Sequence, residues 1–236
     1  MSDDRGPYHE YSFSYGQDMP YGKKRKVGVR FDRDEIKELG IAMGVITLAF
    51  AAVFSGNFLL GGSFSPMGFI LVLPFALVAT FTGFLLHELA HKISANHYGY
   101  PAAFSYNKRY LLFGALISFV IGILFAAPGA VFIYGRPSKR ENGIISAAGP
   151  LTNLVIGALS LGAALLASIF SGFLGFGLFY VGIINLIIGA FNMIPVMPLD
   201  GSKVWKWNKV VYIAMAMLFI VPIFLYFSGI LSRIFD

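Results

Sequence analysis

From Leu39 onward this chain has almost nothing with which to face water. Of its 30 charged side chains, 16 fall within residues 1–38 and only 14 are spread over the 198 that follow. Four of those 14 are acidic: Glu88, Glu141, Asp200 and Asp236. A soluble domain carries about 25% charged residues, against 13% in this chain. Apolar runs at roughly 39–60, 67–96, 110–134, 142–169, 174–200 and 208–231 are each long enough to cross ~30 Å of hydrocarbon as a helix. They are continuous rather than alternating, which disfavours a β-barrel. An ordinary water-soluble enzyme is excluded, and the expected fold is an all-α polytopic membrane protein.

The net charge of +6 needs no nucleic-acid partner. Its basic residues sit between apolar runs, as they do in the cytoplasmic loops of membrane proteins. The absence of cysteine removes disulfides and thiolate ligands from consideration. Residues 1–38 read as a polar cytoplasmic tail and juxtamembrane segment, ending one turn into a helix that Asp32 or Asp34 can cap. Val27 to Phe31 reads as a short strand, and no cleavable signal peptide is visible. Residues 39–236 form the membrane-embedded domain, placed in the cell membrane with a cytoplasmic N-terminus.

The loops sort by charge. Residues 23–30, the segments around Lys92, Lys108 and Arg109, Arg136 to Arg140, and Lys203 to Lys209 are basic, whereas 61–66 and 170–173 carry no charge. The positive-inside rule puts the first group in the cytoplasm and the second outside. Both flanks of 110–134 are then cytoplasmic, so that run must enter the membrane and return, broken at Pro128-Gly129. Backbone of that kind is tolerated only where protein or a watery cavity covers it. The expectation is five to six transmembrane helices with a re-entrant or strand-like segment after the second.

Within this background His87-Glu88-Leu89-Ala90-His91 stands out. Positions four apart share a helix face, so both imidazoles can bind one metal ion. Glu88 lies beside that ion and is angled to take a proton from a water held there. The bland alternative is a helix end whose histidines reach the headgroups. Ionisable groups inside a span cost several kcal/mol unless paired or hydrated, and three in five residues weigh against it.

Asp200, in Asn192-Met193-Ile194-Pro195-Val196-Met197-Pro198-Leu199-Asp200-Gly201, is the other acidic residue inside the apolar runs. A hydrolytic zinc bound by two histidines takes a carboxylate as its usual third protein ligand. Pro195 and Pro198 break the helix and steer Asp200 inward, although a helix-capping role is also open to it. In the charge-derived topology the runs 67–96 and 174–200 travel in the same direction. His87 and Asp200, 113 residues apart, therefore reach similar depth. Two amides complete the set. Asn153, in Ala148-Gly149-Pro150-Leu151-Thr152-Asn153, and Asn192 can each donate to a scissile carbonyl or its oxyanion. Asn153 is equally suited to bonding between helices.

These three blocks, in this order and covering roughly 67–204, resemble the site-2 proteases, the intramembrane zinc metalloproteases. The resemblance implies one Zn2+ per chain held by His87, His91 and Asp200, water activated by Glu88, and substrate contacts from Asn192 and Asn153. It implies a transmembrane protein or peptide as substrate, the lipid bilayer as surroundings, and an active site nearer the cytoplasmic side. The family's membrane-embedded strand matches the re-entrant run, with Pro128 to Ile133 suited to pairing with an extended substrate. No PDZ-like or CBS-like domain is found, so the chain resembles the minimal form. A non-hydrolytic zinc carrier would need the ligands but not Glu88. A transporter would be expected to show an internal repeat, and none is apparent.

Overall fold

A computed structural model describes residues 28–55, 64–121 and 129–229. The tail ahead of Gly28, the loop containing Ser63, and the expected break at Pro128 lie outside the described residues. Helices dominate: α1 (Arg33–Ser55), α2 (Pro66–Thr80), α3 (Leu86–His97), α4 (Lys108–Ile121), α5 (Lys139–Ser168), α6 (Gly172–Asn192), α7 (Asp200–Trp207) and α8 (Lys209–Phe227). Strands β1 (Ala102–Tyr106) and β2 (Gly129–Ile133) form one antiparallel pair. Residues 28–32 have no regular structure, so the short strand expected at Val27 to Phe31 does not form across them.

Helix ends follow the capping residues. Asp32 Oδ1 accepts the Glu35 N–H at 2.7 Å. Ser65 accepts from Gly68 ahead of a proline in the first turn of α2, Ser171 accepts from Leu174, and Asn208 accepts from Val210 and Val211. Ser138 and Glu141 exchange both hydrogen bonds of a capping box at the start of α5. Such caps satisfy the orphan N–H groups of a first turn, each contributing ~1 kcal/mol.

Among the described residues, five helical stretches are long and apolar enough to cross a membrane: Arg33–Ser55, Pro66–His97, Lys139–Ser168, Gly172–Asn192 and Lys209–Phe227. The chain is an all-α polytopic membrane protein, as its runs of apolar residues lead one to expect. Exposed Leu, Ile, Val and Phe side chains cover the outer faces, which suits hydrocarbon and would be ruinous in water. The helix α6 is the most enclosed of the five, with 61% of its apolar window buried against 11% for α8. It packs closely on α5 where Gly157 meets Gly182: a Cβ on Gly157 would stand 3.2 Å from the Gly182 carbonyl oxygen.

Of the run 110–134 the described residues include α4, which ends at Ile121 and is not one of the five, and β2. Tyr106 pairs with Gly129 and Ala102 with Ile133, so the chain leaves β1, passes through α4 and comes back alongside its own starting point. Pairing of that kind fixes a return to the same level. The run 174–200 is also shorter than its hydropathy suggests. The helix stops at Asn192, and Asp200 opens a separate helix, because the Pro195 and Pro198 segment cannot continue the ladder.

The arrangement predicts sidedness. Ser138 and Ser171 lie at opposite ends of α5, about 45 Å apart at 1.5 Å per residue. In the otherwise cysteine-free chain, Ser138→Cys and Ser171→Cys should label with an impermeant reagent from opposite membrane faces, and Ser105→Cys from the same face as Ser138→Cys. Labelling of the 105 and 138 positions from different faces would make the intervening segment a full crossing.

Candidate metal centre

The histidine-bearing helix is not regular. Between α2 and α3 the chain makes one π turn, Phe81–Leu85, in which the Leu86 N–H bonds back to the Phe81 carbonyl. Such turns loosen the ladder and leave carbonyls open to side chains. Asn153, fully buried on α5, uses that opening: its Nδ2 donates to the Gly83 carbonyl at 3.0 Å and to the Asn185 carbonyl at 3.3 Å.

With Nδ2 committed to two carbonyls, the Asn153 Oδ1 must be the atom facing His87 Nδ1, 2.8 Å away. An amide oxygen only accepts, so His87 carries its proton on Nδ1. His91 is fixed likewise by the Ile145 carbonyl, 2.8 Å from its Nδ1. Each ring therefore turns a bare Nε2 lone pair inward. The two Nε2 atoms are 3.0 Å apart. Asp200 Oδ2 completes the triangle, 3.4 Å from His87 Nε2 and 3.0 Å from His91 Nε2.

Three acceptors at these separations repel unless positive charge lies among them. A proton can bridge only one pair, whereas a divalent cation meets all three. Ligands at 2.0–2.2 Å from a tetrahedral zinc are themselves about 3.3 Å apart, and the three edges observed bracket that value. His87, His91 and Asp200 are all buried and are a group able to hold one metal ion. The space is reserved by glycine: a Cβ on Gly149 would fall 2.6 Å from His87 Nε2 and against His91 Nε2 as well. The donor set and its cradle fit a zinc ion with a fourth position open.

That position faces a cavity of about 110 Å³, lined by His87, Glu88, Val131, Asn192, Asp200 and Lys203 among others. Its volume admits several waters. Glu88 is half-buried at the residue level, but its Oε2 is shielded and has no hydrogen-bond partner. An unpartnered carboxylate oxygen beside a metal-sized gap is available to take a proton. Asn192 lines the cavity, with Nδ2 on the Ile188 carbonyl of its own helix at 3.0 Å. Asn153 does not line it, and its polar atoms point to His87 and to two backbone carbonyls.

Sequence reasoning passed over three contributors. Lys203, one turn after Asp200, places Nζ 3.5 Å from Asp200 Oδ1 and leaves Oδ2 for the metal side. Asn185 donates to Thr82 Oγ1 and the Val181 carbonyl, both at 2.9 Å, bracing the π turn. As an amide in an apolar helix it carried the same signal as Asn153. Gly149, quoted above only as a neighbour of Asn153, is the floor of the metal cradle.

No family model matches the chain, and no solved structure does. The protein named "Putative zinc metalloprotease MJ0611", from Methanocaldococcus jannaschii, is 39% identical over 188 residues, covering 78% of this chain and 89% of that one. "Putative zinc metalloprotease YwhC" of Bacillus subtilis is 27% identical over 150 residues, 56% of this chain and 68% of its own length. "Zinc metalloprotease MJ0392", also from M. jannaschii, is 28% identical over 130 residues, 55% of this chain but only 32% of that protein.

Two variants test the cradle. Gly149→Ala should abolish zinc retention while the helix content by circular dichroism stays constant. Asn153→Ala should weaken zinc about 10- to 100-fold, the usual cost of losing a residue that orients a ligand, measured by chelator competition. Unchanged affinity in both would mean that the metal binds elsewhere.

Proposed function

The chain belongs to a family of zinc metalloproteases, and on that premise we propose that it is an intramembrane endopeptidase of the site-2 type, cutting transmembrane segments of other proteins. The observation that carries this reading is the convergence of two histidine lone pairs and one carboxylate oxygen on a buried point beside Glu88, whose Oε2 has no hydrogen-bond partner. Five helical stretches long and apolar enough to cross a membrane support a reading in which the chemistry happens within the bilayer. The localisation that follows is a cell membrane, with the N-terminus and the metal end towards the cytoplasm. The catalytic domain is residues 39–236, and a transmembrane peptide is the partner.

A zinc ion bound by His87, His91 and Asp200 would polarise the scissile carbonyl and make a coordinated water acidic. The remaining steps belong to this chain. Glu88, shielded from solvent at Oε2, takes a proton from the attacking water and returns it to the leaving amine nitrogen. Asn192, on the cavity wall, supports the carbonyl oxygen as charge develops on it. Asn153 and Ile145 hold the two imidazoles in the metal-binding tautomer. Asn153, which the sequence suggested as a substrate contact, is better suited by these bonds to orienting His87.

Substrate must present an extended backbone, because a helix hides its amides in its own hydrogen bonds. The strand β2 supplies a partner. Tyr134 N–H bonds to the Pro101 carbonyl at 2.9 Å, so by antiparallel alternation Gly129, Val131 and Ile133 turn their polar groups away from β1. All three line the cavity.

Detergent-purified protein given a generic transmembrane peptide should cleave it, and a chelator should stop it. Glu88→Gln should lower turnover by at least ~10²-fold with zinc content near normal. Asp200→Ala should instead lose zinc. Wild-type turnover by Glu88→Gln would exclude the mechanism, and loss of zinc in that variant would make Glu88 a ligand.

A further inference from the structure

Glu35 sits in the first turn of α1, well away from the metal ligands in sequence, yet it is only 1% exposed. Its Oε1 takes the Lys92 ammonium at 2.6 Å and the Phe104 backbone N–H at 2.8 Å. Lys92 directly follows His91 on α3, and its Nζ lies 4.0 Å from the centre of the Phe31 ring. One turn further along α1, Glu38 Oε2 accepts the Tyr106 N–H at 3.0 Å.

Phe104 and Tyr106 occupy alternate positions of β1, opposite Val131 and Gly129. Their N–H groups go to α1 carboxylates and not to β2, so they belong to the outer edge of β1. Without those carboxylates that edge would present free N–H groups to an incoming strand. The two carboxylates occupy it. An added strand could also slip by one residue, which turns every side chain to the other face and moves the scissile bond by about 3.4 Å.

We propose that Glu35 is a positioning residue for substrate: with Glu38 it closes the β1 edge, and through Lys92 it locks the strand pair to the histidine-bearing helix. An extended apolar peptide then adds only at β2, in one register. This rests on the peptidase reading above.

The test uses the full-length protein in detergent with a defined transmembrane peptide. Removing Glu35 alone strands a buried ammonium, so the variants are Glu35→Leu/Lys92→Met, which replaces the ion pair by apolar groups of similar size, and Glu38→Ala. Both should keep wild-type zinc. KM should rise about tenfold with kcat within about twofold, and mass spectrometry should show a second cut beside the original. Unchanged KM with a single cut in both variants would overturn the proposal. So would zinc loss in step with activity, since the pair would then serve the metal site alone.

Hydrogen exchange separates this proposal from the peptidase reading. Peptide should protect the Ile133 amide in the wild type, and additionally the Phe104 and Tyr106 amides in the double variant. If that variant fails to fold, Glu38→Ala gives the same contrast at Tyr106. Absence of the contrast overturns the proposal whether or not the peptide is cut. A wild-type protein that binds peptide but never cuts it would sink only the peptidase reading.

Discussion

A lone pair aimed at another lone pair across 3.0 Å is repulsive unless something positive lies between them. In hydrocarbon no water is at hand to relieve it. His87 and His91 are held in that opposition by bonds on their far sides, to Asn153 and to the Ile145 carbonyl. Asn153 can do so only because the π turn frees the Gly83 carbonyl and because α6 brings up the Asn185 carbonyl. Gly149 keeps the centre empty of protein atoms. These residues form a buried polar path that leads to the metal position.

A second buried polar unit lies at the same end of the bundle. Glu35 and Lys92 are 1% and 2% exposed, and removing either partner of such a pair costs about 3–5 kcal/mol because the other is left charged and alone. Glu35 holds the active-site helix and the strand pair with one carboxylate, while Glu141 at the N-terminus of α5 accepts from the Tyr100 hydroxyl at 3.0 Å. The strands are thus fastened from two helices, although neither strand is long enough to persist by itself.

Much of this was legible in the sequence, and the parts that were not share a cause. His87, His91 and Asp200 stood out because ionisable groups are rare in apolar runs, and charge alone placed their helices in the same direction. The return of 110–134 to its own starting level also followed from charge. The direction in which Asn153 points did not, because an amide in an apolar helix can face a cavity or a neighbour equally well. Glu35 carries no such signal, since nothing local reveals that Lys92, 57 residues away, will meet it. Pairings between distant segments carry no periodicity, and hydropathy cannot see where an apolar run stops being helical, as at Asn192.

The π turn at Phe81–Leu85 has a further consequence for how such chains vary. Each residue of a helix advances it by about 100°, so one extra residue in a turn rephases everything beyond it. A homologous chain lacking a single residue there would keep its hydropathy profile, its HExxH block and its five spans. Its imidazoles, however, would be rotated off the face that meets Asp200. Alignment gaps within this short stretch would therefore separate chains that retain the metal geometry from those that retain only its letters.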